Sequence, residues 1–274
     1  MSFLISVEDL ADRLGQPNLR IVDASWHLDG RDARADFQQA HIPGAVFFDL
    51  DAVSDRDSPL PHMMPTPTAF AEAVGALGVA ADDLIVIYDT AGLFSAARVW
   101  WMFRTMGARD VRVLDGGLPV WRSRGFALEQ GDAAAQPAAF DAIEAPSAVA
   151  GLNDVRDALK GDAQVIDARS AGRFAGKAAE PRPGVRSGHM PGALNLPFGQ
   201  LLDSDGKMKP GDALAQAFVD AGVDLARPAI TTCGSGVTAA VLTLGLAELG
   251  RPSRLYDGSW SEWGGRMDTP VQTD

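Results

Sequence analysis

Short apolar runs alternate along the chain with longer amphipathic stretches. RIVDA (20–24), LIVIYD (84–89) and VRVLDG (111–116) lack strict period-two alternation, which suits strands buried on both faces of a parallel sheet. Between them, VEDLADRL (7–14), TAFAEAVGALG (68–78) and SAARVWWMFRTMG (95–107) read as helices, with apolar residues at helical spacing. The pattern predicts α/β units, each a mostly parallel sheet flanked by helices. Trp100, Trp101 and Phe103 are expected in the core.

The pattern is written twice. IVDASW (21–26) returns as VIDARS (165–170) and LIVIYDTAG (84–92) as PAITTCGSG (228–236), both at an offset of 144. HIPGA (41–45) returns as HMPGA (189–193) at 148, and DGGLPVW (115–121) as DGSWSEW (257–263) at 142. Four landmarks in one order imply two copies of one domain. The small-residue, Pro-bearing stretch 131–148 reads as an extended linker. The expected organisation is a first domain at 1–136, a linker at 137–148 and a second domain at 149–274.

A chain of 274 residues with 46% apolar content can bury two modest cores. A net charge of -12 with no basic run disfavours nucleic acid and anionic lipid surfaces as partners. No apolar stretch is long enough to span a bilayer, and the opening MSFLISVEDLADRL lacks a basic n-region and a small-residue cleavage site. The expectation is a soluble, cytoplasmic protein.

There is one cysteine, Cys233, so an internal disulfide or cysteine metal cage is ruled out. It lies between AITT and VTAAVLTLGLAELG, where an open α/β sheet places its ligands. Its counterpart in the first copy is Asp89. A lone cysteine here also suits a small buried hydrophobe. The segment Cys233-Gly234-Ser235-Gly236-Val237-Thr238-Ala239 favours the reactive alternative. Its glycines allow successive N–H groups to turn inward, and the nest joins the positive end of a helix dipole in stabilising an anionic sulfur. A phosphatase loop would need arginine six residues after the cysteine, and position 239 is alanine.

CGSGVTA and the doubled HxPGA and DGG or DGS landmarks resemble the tandem rhodanese-domain sulfurtransferases over nearly the whole chain, and the loop resembles the branch that uses 3-mercaptopyruvate. The resemblance implies a transferase in which Cys233 takes sulfur from 3-mercaptopyruvate as a persulfide, releases pyruvate and passes the sulfur to an acceptor thiol or cyanide, with no cofactor. Thiosulfate-using relatives typically carry Arg and Lys where this chain has Gly234 and Ser235, so thiosulfate is the alternative donor. A non-enzymatic sulfur-carrier or regulatory binding module is a further alternative.

Arg169, Arg173, Arg182 and Arg186 lie in a Gly- and Pro-rich loop of the second copy. Arginine grips a carboxylate through two parallel hydrogen bonds, although loop arginines are also commonly just solvated. The resemblance assigns Arg173 and Arg182 to the donor's carboxylate and carbonyl. Arg169 is expected in structural salt bridges, and Arg186 is left open. Of four histidines, His41 and His189 recur in both copies and read as structural, and His27 reads as a surface residue. His62 stands in the irregular SPLPHMMPTP loop. The resemblance places that loop across an interdomain cleft and aligns Asp51, His62 and Ser235 as a proton relay. Histidine titrates near neutral pH and can serve as base or acid there. The resemblance likewise places the loop around Cys233, including Gly234, Gly236, Val237 and Thr238, against the substrate. Phe94 is a candidate pocket residue.

Overall fold

The computed structural model describes residues 2–132 and 135–274. Two members of the expected linker stretch, Ala133 and Ala134, lie outside the described residues. The chain forms two compact units. The first comprises Met1–Arg56, Met64–Ala145 and Ser204–Met208, and the second Asp57–Met63, Pro146–Asp203 and Lys209–Asp274. Two short segments therefore belong to the unit other than the one their position along the chain suggests, and His62 lies in one of them.

The first unit contains β1 (Leu4–Ile5), α1 (Val7–Ala11), β2 (Leu19–Asp23), α2 (Ala33–Gln39), β3 (Ala45–Phe47), α3 (Pro67–Ala76), β4 (Leu84–Tyr88), α4 (Ala96–Thr105), β5 (Asp110–Leu114) and α5 (Gly117–Ser123). Its sheet has the order β1-β5-β4-β2-β3, with every pairing parallel. All five residues of β4 are buried, as helices on both faces require of a central parallel strand. Trp100, Trp101 and Phe103 are buried, and Phe103 packs edge-on against Phe70 and Phe140.

The second unit repeats the plan with β6 (Val149–Ala150), α6 (Leu152–Ala158), β7 (Gln164–Asp167), α7 (Ala171–Phe174), β8 (Leu194–Asn195), α8 (Gly211–Asp220), β9 (Ala229–Thr232), α9 (Ala239–Glu248), β10 (Ser253–Tyr256) and α10 (Ser259–Trp263). Its parallel sheet runs β6-β10-β9-β7-β8, the same order as in the first unit.

The repeated histidines fasten the same corner in each copy. His41 donates from Nδ1 to the carbonyl of Phe37 at 2.8 Å and stacks on that ring at 4.0 Å. His189 does the same with Phe174, at 2.9 Å and 3.9 Å. Four positions separate the first pair and fifteen the second, so the second copy carries eleven more residues between ring and histidine, a net four between strand and histidine because the stretch before the ring is seven shorter. The longer ring-to-histidine stretch holds Glu180, Arg182 and Arg186. His27 departs from its surface expectation. Its side chain is only 6% exposed, with Nε2 at 2.9 Å from Asp36 and Nδ1 accepting from Arg31 at 3.3 Å. Polar partners on α2 and the neighbouring loop close over it.

Candidate active site

Cys233 follows the last residue of β9 and is buried. The loop after it turns through Gly236 at φ 79°, a left-handed angle that glycine adopts without steric cost, and enters α9 at Thr238. Val237 and Ser235 are buried beside the cysteine. The first unit reveals what such a loop binds. Gly92 occupies the equivalent turn at φ 107°, and Asp89 occupies the place of Cys233. Its carboxylate accepts from the backbone N–H groups of Ala91 at 2.9 Å, Phe94 at 2.8 Å and Ala96 at 2.8 Å. Three inward N–H groups make an anion cradle, and Cys233 is the residue at the equivalent position of the second copy.

The DGSWSEW landmark holds the loop from behind. Ser259 has φ 47°, left-handed for a residue with a side chain. Its Oγ donates to the carbonyl of Tyr256 at 2.8 Å and accepts from the N–H of Cys233 at 3.3 Å. Trp260 N–H donates to the Cys233 carbonyl at 2.9 Å, and Ser261 donates to the Gly234 carbonyl from N–H at 2.9 Å and from Oγ at 2.6 Å. His62 and Ser259 are the non-glycine residues with positive φ among those described, and both touch the cysteine loop. Backbone strain of this kind clusters at functional sites.

Three polar groups meet around the loop serine. His62, buried with φ 60°, places Nδ1 2.9 Å from Ser235 Oγ, and which atom donates depends on the imidazole tautomer. Arg182 Nη2 donates to the same Oγ at 3.4 Å. Arg173, on α7, lies against Gly234: a Cβ on that glycine would stand 3.0 Å from Arg173 Nη2. Asp51 lies in the first unit and accepts from Trp26 Nε1 at 3.1 Å. Phe94 stacks on Trp26 with centroids 6.2 Å apart.

Glu180, which opens the EPR element (180–182) but was assigned no role from the sequence, organises the arginines. It accepts from Arg169 Nη1 at 2.8 Å, from Arg173 Nε at 3.3 Å and from Arg173 Nη2 at 2.5 Å. Arg169 is clasped by Asp167 at 2.7–3.1 Å and lies over the Trp260 ring at 4.3 Å, the structural role expected of it. Burial pulls its guanidinium down, but Asp167 and Glu180 outweigh burial and hold it above the usual arginine range. Arg186 donates to the backbone carbonyls of Trp263, Gly264, Arg266 and Thr269, tying down the segment after α10. The signal for Glu180 was a lone carboxylate among four loop arginines.

The fold is thus a duplicated α/β unit that keeps one thiol, at the end of a central strand, on the loop whose first-unit copy wraps a carboxylate. The model of the rhodanese-like domain matches residues 6–124 and 152–266. The 3-mercaptopyruvate sulfurtransferase of Escherichia coli (strain K12) is 45% identical, covering 99% of this chain and 98% of its own. The mitochondrial thiosulfate/3-mercaptopyruvate sulfurtransferase 1 of Arabidopsis thaliana is 44% identical, covering 98% and 78%. The crystal structure of SseA from Escherichia coli, described as a 3-mercaptopyruvate sulfotransferase with the rhodanese fold, superposes with a TM-score of 0.88 at 42% identity, covering 95% of this chain and 99% of that one. The chain belongs to the rhodanese family, with two rhodanese-like domains. Among the described residues, no helix is long and apolar enough to cross a membrane.

Proposed function

We propose that this chain transfers sulfur from 3-mercaptopyruvate through a persulfide on Cys233. The observation that carries the reading is the cradle: the loop whose first-unit copy wraps the Asp89 carboxylate in three N–H groups holds a cysteine in the second unit. Preorganised N–H donors aimed at a charged sulfur lower the barrier to forming and holding it.

In the proposed step the Cys233 thiolate attacks the donor's sulfur. The S–S bond forms, the C–S bond breaks, and its electron pair enters the enolate of pyruvate. The proton of the donor thiol ends on the enolate carbon, leaving pyruvate and a persulfide anion. Ser235 and His62, 2.9 Å apart, would move that proton, and Asp51 would fix the His62 tautomer. Arg173 and Arg182 would hold the carboxylate and carbonyl. Glu180 occupies two of the five N–H groups of Arg173, leaving three for a ligand. An acceptor thiolate or cyanide then takes the outer sulfur and restores the Cys233 thiolate. The cycle calls on no metal or organic cofactor, and we place it in the cytoplasm.

The test is turnover of mercaptopyruvate with a dithiol acceptor. Wild-type protein should release pyruvate and sulfide, and Cys233→Ser should release neither. Turnover by that variant at the wild-type rate refutes the mechanism, and a wild type that binds a protein partner without gaining sulfur on Cys233 is a regulatory binding module. Thiosulfate is the second reading, favoured by the double name of the Arabidopsis relative. Against it stands Gly234, where any side chain would meet Arg173. The ratio of kcat/KM for the two donors decides between them.

A further inference from the structure

The two copies of the cysteine loop are held differently at one peptide. In the first unit Leu118 N–H donates to the Asp89 carbonyl at 3.0 Å, and in the second Trp260 N–H donates to the Cys233 carbonyl at 2.9 Å. One residue further on the copies part. The first has Pro119, which lacks an N–H. The second has Ser261, which gives both its N–H, at 2.9 Å, and its hydroxyl, at 2.6 Å, to the carbonyl of Gly234.

That carbonyl shares a planar trans peptide with the N–H of Ser235, so the two groups point in opposite directions. Pulling the carbonyl toward α10 aims the Ser235 N–H away from α10. In the first unit the equivalent N–H, that of Ala91, meets the Asp89 carboxylate at 2.9 Å. A carbonyl accepting two hydrogen bonds also polarises its own peptide, which makes the N–H a better donor.

We propose that Ser261 is a positioning residue for the reactive sulfur: its hydroxyl orients and polarises the Gly234–Ser235 peptide so that the Ser235 N–H stabilises the anion on Cys233. The inference rests on Cys233 being the sulfur-carrying thiol. Charged and titratable groups also face the loop. Arg173 lies against Gly234 and His62 and Arg182 against Ser235, with Glu180 behind Arg173 and Glu262 bonded to Tyr256 on the α10 side. They are common to wild type and variant, so a difference between the two reports the hydroxyl.

With a single cysteine in the chain, the ultraviolet thiolate band, corrected with Cys233→Ser, reads the sulfur directly. In Ser261→Ala its midpoint should move up by about 0.5 pH or more, a roughly threefold loss of thiolate below the midpoint. Ser261→Thr should restore it, and kcat with mercaptopyruvate should fall and recover in step. Ser261→Gly keeps the N–H, lacks the hydroxyl and must behave as Ser261→Ala does, should alanine disturb α10. An unchanged midpoint in both deletions overturns the inference, even if turnover falls. Absence of a thiolate band from the wild type overturns the proposed function as well.

Discussion

Replacing Glu180 by glutamine tests whether the loop arginines are organised or merely gathered. Asp167, Arg169, Glu180 and Arg173 form an alternating chain of charges whose side chains are 1%, 0%, 3% and 19% exposed. Two carboxylates balance two guanidinium groups. Glu180→Gln preserves shape and one acceptor oxygen but leaves a buried excess of positive charge. Removing one partner of a buried ion pair costs about 3–5 kcal/mol. Because Arg169 keeps its clasp on Asp167 and the exposed fraction of Arg173 keeps some solvation, the lower end applies, about 3 kcal/mol. For a unit of this size that is a fall of roughly 10 °C in melting temperature. The melt should be followed by calorimetry, since two units need not unfold together.

The kinetic consequence follows from the hydrogen bonds. Glu180 fixes Arg173 through Nε and Nη2, so losing the carboxylate frees the guanidinium to swing away from Gly234. Misplacing a binding group by about 1 Å costs on the order of 100-fold in rate, and kcat/KM for mercaptopyruvate should fall about 10- to 100-fold in Glu180→Gln. The opposite sign is also physically available. If Glu180 competes with the donor's carboxylate for Arg173, its removal will lower KM. A lower KM, or a melting temperature and kcat/KM both within error of wild type, refutes the positioning argument.

Other perturbations probe separate links. Arg173→Ala should reduce kcat/KM for mercaptopyruvate far more than for thiosulfate, and equal losses rule out the carboxylate role. Gly234→Ala puts a Cβ 3.0 Å from Arg173 Nη2, so KM for mercaptopyruvate should rise severalfold, with the melting temperature changing by less than the Glu180 variant's. An unchanged KM shows that Arg173 yields freely. Asp23, fully buried, is pushed up from 3.8 to about 6 by burial, against the opposing hydrogen bonds of Ser25. The folded protein therefore binds this proton more tightly than the unfolded chain does, and the group's contribution to stability falls as pH rises from about 4 to 6. The penalty above that window is about 3 kcal/mol. Asp23→Asn should stabilise the first unit against urea at pH 7.5 by up to that amount and change little at pH 4, and destabilisation at pH 7.5 refutes the sign.

What could be read from the sequence were features that are local along it. LIVIY is a continuous run of buried residues because both faces of β4 are covered, and the four repeated landmarks are the strand ends and corners that two sheets of one plan share. Cys233 stood out because its loop carries its own glycines. Several of the groups packed around that loop come from other segments, and their identities alone do not announce them. The meeting of His62 with Ser235, 173 positions apart, was expected from the family resemblance alone, whereas Glu180 reaches Arg169 and Arg173 from within the longer loop of the second copy, and Ser261 reaches Gly234 from the far side of α9. His27 was misjudged for the same reason: Asp36 and Arg31 cover it only once α2 is folded. Asp89, which the repeat places opposite Cys233, shows its part only once the fold is seen. Its side chain does in the first copy, with a fixed negative charge, what the sulfur of Cys233 is proposed to do transiently in the second. A carboxylate held permanently by three N–H groups leaves no vacancy for a transferred atom, whereas a thiolate in the same cradle can extend by one sulfur. Duplication thus separates a permanently filled anion cradle from one available for chemistry, and exchanging the two, Asp89→Cys with Cys233→Asp, should not move the activity to the first unit, because Arg173, Arg182 and Ser261 have no counterparts there. Sulfur transfer by that double variant at a wild-type rate would show that the cradle alone suffices.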